Sequence, residues 1–114
     1  MRMWGIDPKL MCQKHLCGEH VEMHMLVGTI RKGISIRGYV DGGLVETQNI
    51  AHRHEQLSAE MLRRGYRHES PLPAFTTPVA GAIDRLANLR ELADRCPACS
   101  QLQKKALQKL ENLV

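Results

Sequence analysis

His15, Glu19 and Glu22 stand four and three residues apart, a spacing that places them on one face of a helix. Two carboxylates and an imidazole so arranged can move protons and steady a developing positive charge. The same residues also fit an ordinary solvated acidic face with an exposed histidine. A second reactive set is Cys96-Pro97-Ala98-Cys99, a CxxC knuckle, with Cys12, His15, Cys17 and His20 as further sulfur and nitrogen donors. A structural zinc needs four such groups converging. If the last helix packs near the first, Cys12 with His15, or Cys17 with His20, would complete the CxxC pair. Thiol redox chemistry and small buried thiols are the competing readings. His20 and His24 form HxxxH, but Val21, Glu22 and Met23 lie between them, so the zinc-protease HExxH order is absent. His52 is expected on a helix surface and His54 at a core edge.

The elements that would position these groups are helices. Asp7-Pro8 is a good helix start, because the Asp side chain accepts from free backbone N–H groups and Pro wastes no donor. Cys12, Leu16, His20, Met23, Val27 and Ile30 then recur as one core-facing stripe, with Gly33 as the stop. Gly18 and Gly28 weaken this helix unless packing offsets them, or else they permit a close backbone approach. Ile34 to Leu44 is glycine-rich and reads as an irregular connection. Ile50, His54, Leu57 and Met61 form the stripe of a second helix ending at Gly65. After a proline-bounded loop, a third helix runs through Ile83, Leu86, Leu89 or Arg90, and Ala93, until Pro97 interrupts it. From Ala98 to Val114, Leu102, Ala106, Leu110 and Leu113 share one side of a terminal helix. The expected fold is therefore all-α: one compact domain, residues 1–114, of three to four helices at about 7–32, 47–64, 79–95 and 98–113, with long irregular connections.

A chain of 114 residues has room for one core, and 43% hydrophobic with 25% charged residues excludes disordered and fibrous classes. No apolar run is long enough to span a bilayer, so no membrane partner is expected. The first residues lack the apolar stretch of a secretory signal, which points to the cytoplasm. In that compartment four cysteines do not form a disulfide framework. A net charge of +4 favours polyanionic partners and equally serves solubility.

The stretch His15-Leu16-Cys17-Gly18-Glu19-His20-Val21-Glu22 resembles the pyrimidine-dimer DNA glycosylase family, which carries a His-Leu-x-x-Glu-x-x-Glu pattern at this distance from the start. Ala59 to Tyr66, with Arg63-Arg64-Gly65-Tyr66, looks like that family's second helix and its ending, and Ala93-Asp94-Arg95 before Pro97 looks like the end of its third. The likeness covers roughly the first 95 residues with gaps. It implies that family's helical fold and a bifunctional glycosylase and abasic-site lyase. By position, the nucleophile is the α-amine of Met1, which attacks C1′ of the lesion nucleotide to form an imine before β-elimination. Arg2 matches the arginine beside the nucleophile and Glu22 the catalytic glutamate, and His15 joins them in the expected site.

The chemistry suits the transfer. An α-amino group, with a reference pKa of about 7.7–8.0, is neutral far more often than a lysine at about 10.4, and imine formation needs the neutral amine. No cofactor or metal is required for it. Methionine is retained before a bulky residue such as Arg2, so the free amine is expected on Met1. The partner is double-stranded DNA carrying a lesion or abasic site, bound by a monomer. Arg31, Lys32 and Arg37, with Arg53, Arg63, Arg64 and Arg67, are the candidate phosphate contacts.

Two departures bear on the substrate. Val21 and Met25 stand where the family carries arginines, and Ser100 to Val114 has no aromatic residue where the family has an aromatic, lysine-rich tail. Another damaged or modified pyrimidine, or abasic sites alone, are then alternative substrates. The alternative function is a non-catalytic basic helical nucleic-acid-binding module, with or without a stabilising zinc.

Overall fold

Apolar residues at three- and four-residue steps give the chain its two central helices. The computed structural model describes residues 1–68 and 70–113. Among them are five α-helices and no strand: α1 (Gln13–Arg31), α2 (Arg37–Asp41), α3 (Ile50–Arg63), α4 (Arg85–Arg95) and α5 (Pro97–Leu113). α1 packs on α3, and α4 on α5. α1 buries Leu16, Met23, Leu26 and Val27 against Ile50, Leu57 and Met61 of α3, and Met3, Trp4, Ile6 and Met11 complete the cluster from the N-terminal side. Each large apolar side chain so enclosed contributes about 1.5–3 kcal/mol. No helix among the described residues is long and apolar enough to cross a membrane.

Both central helices stop where expected. Gly33 (φ 73°) and Gly65 (φ 83°) take the left-handed conformation that glycine adopts without a Cβ clash. The N–H groups of Gly33 and Ile34 close onto Ile30 and Thr29, and those of Gly65 and Tyr66 onto Leu62 and Met61, at 2.9–3.1 Å. Gly18 and Gly28, by contrast, meet no close backbone: a Cβ added at either finds no atom within 4 Å.

The helix starts differ from expectation. Asp7 caps only a 3₁₀ turn, Pro8–Leu10, by accepting from the Lys9 N–H at 3.0 Å. The chain then extends through Met11 and Cys12, which buries Met11 completely and lets the Cys12 N–H donate to Cys99 Sγ. The third expected helix, from 79, begins only at Arg85, where Asp84 accepts from the Ala87 N–H at 2.9 Å. Residues 79–84 are held outside any helix because their backbone groups are already bonded. Ala80 exchanges hydrogen bonds with Thr47, and the Ile83 N–H donates to Glu46. The expected irregular connection contains the single-turn α2. On α5, Leu102 and Ala106 are half-buried, but Leu110 and Leu113 are exposed, because the helix outruns the core it was expected to cover. Val114 lies outside the described residues.

A buried ion pair joins the central helices to the N-terminal segment. Arg53 of α3 donates from Nε to Glu19 Oε2 (2.6 Å) and from Nη2 to Oε1 (2.8 Å), and its Nη1 reaches the Ile6 carbonyl at 2.7 Å. Both side chains are almost wholly enclosed. Nearby, Glu60 accepts from Arg63 and Arg64, and Arg64 also bonds the carbonyls of Pro8 and Met11.

Two outcomes test these polar contacts. Arg53→Ala leaves the Glu19 charge buried alone and should cost about 3–5 kcal/mol in urea unfolding, far more than Arg67→Ala on the surface. The hydrogen bond from Arg63, with Arg64 beside it, lowers the Glu60 pKa from 4.5 to about 2. Because the folded-state value lies below the unfolded one, this contribution is complete above pH 4.5 and is lost as the pH falls towards 2. Glu60→Gln should flatten that part of the acid-denaturation profile.

Candidate active site

One turn beyond the Glu19–Arg53 pair, α1 presents Glu22, half-buried. Burial raises its pKa above the ordinary carboxylate value, with Glu19 adding to the rise. The positive charge of the Met1 amine, the Arg2 backbone N–H and the Arg2 guanidinium act against it. None of the ion pairs among the described residues uses Glu22. The Met1 side chain packs partly against the core.

The N-terminal segment is fixed from two sides. The Met3 N–H donates to the Leu44 carbonyl at 2.8 Å, and Asn88 of α4 donates to the carbonyls of Met3 (3.4 Å) and Trp4 (2.9 Å). The Arg2 side chain turns to α4, bonding Glu91 at 2.5 Å and Asn88 at 2.8 Å, with its guanidinium 3.8 Å above the Trp4 ring. Its Nε is buried without a partner among the described residues. The Arg2 side chain therefore holds the N-terminal segment against α4.

The expected face of His15, Glu19 and Glu22 is divided among three tasks. Glu19 is consumed by Arg53. His15 turns its ring to the cysteines, with Nδ1 3.2 Å from Cys12 Sγ and 3.6 Å from Cys99 Sγ, and its edge against Trp4. Burial, and then the charges of Lys14 and Arg95, lower its pKa. Of the three, Glu22 is the half-buried side chain that neither Arg53 nor the cysteines engage.

The cationic candidates also separate. Arg31, Lys32, Arg37 and Arg67 are exposed, although Arg37 pairs with Asp41 at 3.3 Å. Arg63 is exposed and bonded to Glu60. Arg53 is enclosed with its guanidinium on Glu19 and the Ile6 carbonyl, and Arg64, half-buried, is bonded through Nε and Nη2 to Glu60 and the carbonyls of Pro8 and Met11.

Two clusters of metal-ligating side chains lie apart from Glu22. Cys12, His15, Cys96 and Cys99 bring their ligand atoms within 4.8 Å of one another. Of the two completions open in the sequence, this is the one that forms, and His20 belongs elsewhere. Burial pushes the Cys99 thiol up to about 12, while the Cys99 N–H draws Cys96 down. His20, His24, His54 and His68 form the second cluster, with ring centroids 4.6–5.2 Å apart. Burial, and then the neighbouring imidazoles, lower His20 to about 4. The HxxxH pair on α1 was its visible half. His54, expected at a core edge, and His68, from the chain after α3, supply the other half across 30 and 48 residues.

The family model described as pyrimidine dimer DNA glycosylase matches residues 1–74, about two thirds of the chain. The match takes in Met1, Arg2, Glu22, the Arg53–Glu19 pair and all four clustered histidines, and it stops before Cys96 and Cys99. Comparison with curated proteins finds no match, and comparison with solved structures finds none. With the expected helices and the N-terminal pattern both present, the chain belongs to the pyrimidine dimer DNA glycosylase family.

Proposed function

We propose that this protein removes a damaged or modified pyrimidine from duplex DNA and then cleaves the strand at the resulting abasic site, acting as a monomer without a cofactor in the chemistry. The lone pair of the Met1 amine forms a bond to C1′ as the bond to the base breaks. The base leaves with the electrons of the bond that held it and a proton shed by the amine, and the imine forms as the C1′–O4′ bond breaks and O4′ takes a proton. The Glu22 carboxylate faces the developing cationic sugar. From the imine, Glu22 takes a proton at C2′ while the C3′–O bond breaks and the phosphate departs.

The observation that carries this reading is the charge of the Met1 amine acting on the half-buried Glu22 carboxyl, beside an N-terminal segment pinned by Leu44 and Asn88. A carboxyl whose pKa is raised by burial is better matched to proton transfer near neutral pH. Further support comes from the pinned N-terminal segment, since a nucleophile held in position avoids part of the entropy cost of attack. His15 is left out of the proton path because its ring serves the cysteine cluster. Exposed Val21 and Met25 flank Glu22, apolar side chains of the kind that wedge between base steps, and they favour a lesion read by apolar contact. Arg31, Lys32, Arg37, Arg63 and Arg67 would supply the phosphate contacts.

Borohydride reduction during incubation with an abasic-site duplex should link protein and DNA covalently, with the adduct on the Met1 peptide. Glu22→Gln should lower single-turnover strand cleavage by about 10²–10⁴-fold while changing DNA affinity little. An adduct mapping to a lysine side chain would overturn the assignment of the nucleophile. Unimpaired binding with no adduct on any lesion duplex would leave the non-catalytic DNA-binding module as the function. Replacing Arg31 and Lys32 by alanine should make the slope of log affinity against log salt shallower by about 0.9 for each phosphate that is no longer neutralised.

A further inference from the structure

We propose that Cys12, His15, Cys96 and Cys99 hold a structural zinc ion, a site separate from the chemistry at Glu22. The four side chains come from the residue before α1, the first turn of α1, the junction of α4 with α5, and the first turn of α5. Their geometry suits a tetrahedral ion. With Zn–S about 2.3 Å and Zn–N about 2.0–2.1 Å, a tetrahedron has S···S edges of about 3.8 Å and S···N edges of about 3.5 Å. Here Cys12 Sγ lies 3.8 Å from Cys96 Sγ, and His15 Nδ1 lies 3.2 Å and 3.6 Å from the sulfurs of Cys12 and Cys99. All four cysteines of the chain are unbridged.

Backbone donors are aimed at two of the sulfurs, as they are around metal-bound cysteines. The backbone N–H of Cys12 points at Cys99 Sγ (3.2 Å) and that of Cys99 at Cys96 Sγ (3.4 Å), and both cysteines of the knuckle sit at the N-terminal end of α5, where the helix dipole stabilises negative charge. Four protein ligands close the coordination sphere, which makes the ion structural. The site also lies where apolar burial is thin: α4 and α5 together bury only Asn88, Leu92 and Cys99. An ion here clamps the α4–α5 junction to the start of α1.

The histidine cluster carries a second site independently, for a divalent transition ion with nitrogen ligands. His20 and His24 lie one turn apart on α1, and their Nε2 atoms meet those of His68 at 2.7 Å and His54 at 3.2 Å. The other ring nitrogen of His54 is held by Glu55 at 3.2 Å, the carboxylate–histidine arrangement that orients a metal-binding imidazole. Such an all-imidazole set accepts zinc, cobalt, nickel or copper. It would bridge α1 to α3 and to the chain that follows α3.

The test uses the full chain, without a histidine tag, loaded with zinc or with cobalt. Bound zinc after dialysis should amount to about two equivalents, and the cobalt form should show the intense visible absorption of a tetrahedral site with a thiolate-to-cobalt charge-transfer band. Cys96→Ser with Cys99→Ser should remove one equivalent and the charge-transfer band. His24→Gln with His68→Gln should remove the other equivalent and leave that band in place. Cys17→Ser should change neither. Chelation of the wild type should lower Tm by more than about 5 °C. Cobalt-loaded wild-type protein without a charge-transfer band would overturn the cysteine site. Metal content unchanged by the double histidine substitution would overturn the histidine site.

Discussion

The salt bridge between Glu19 and Arg53 is the contact on which the arrangement of this molecule turns. Two opposite charges taken out of water regain little net stability from each other, because desolvation offsets much of their attraction. What the pair supplies is position. A forked guanidinium bound at two oxygens permits one register of α3 against α1, and a further N–H, on Nη1, fixes the height of Ile6 beside them. Glu22 lies three residues further along the same helix, so its place relative to the N-terminal segment follows from that register.

The parts of the fold legible in the sequence are those governed by local rules. The stripe Leu16, His20, Met23 and Val27, and its counterpart Ile50, His54, Leu57 and Met61, face the core as their spacing requires. Glycine at 33 and 65 ends α1 and α3 for reasons of backbone geometry alone. Glu22 was legible through its pattern with His15 and Glu19, but the division of that face was not. It depends on Arg53, 34 residues away, and on Cys99, 84 residues away. Arg53 itself reads as surface charge until its partner is known. The delayed start of α4 has the same origin, since the competing acceptors, Glu46 and Thr47, lie more than 30 residues upstream.

The family match ends at residue 74, yet the remainder of the chain is joined to the candidate site. Asn88 holds the carbonyls of Met3 and Trp4, and Glu91 holds Arg2. α4 therefore acts as a backstop for the segment that carries the α-amine. The cysteine cluster sits at the far end of that helix, where it anchors the backstop to the start of α1. Within this small domain, the residues that hold the site in place are spread more widely than those facing it.

Trp4 is the chain's single tryptophan, and it sits where these parts meet. Its indole lies beneath Arg2, within 5.5 Å of Arg95, and edge-on to His15. Intrinsic emission from this one ring is thus a native optical gauge, sensitive to the quenching cations and imidazole around it. It reports without any added label whether the leading segment, α4 and the cysteine cluster remain assembled.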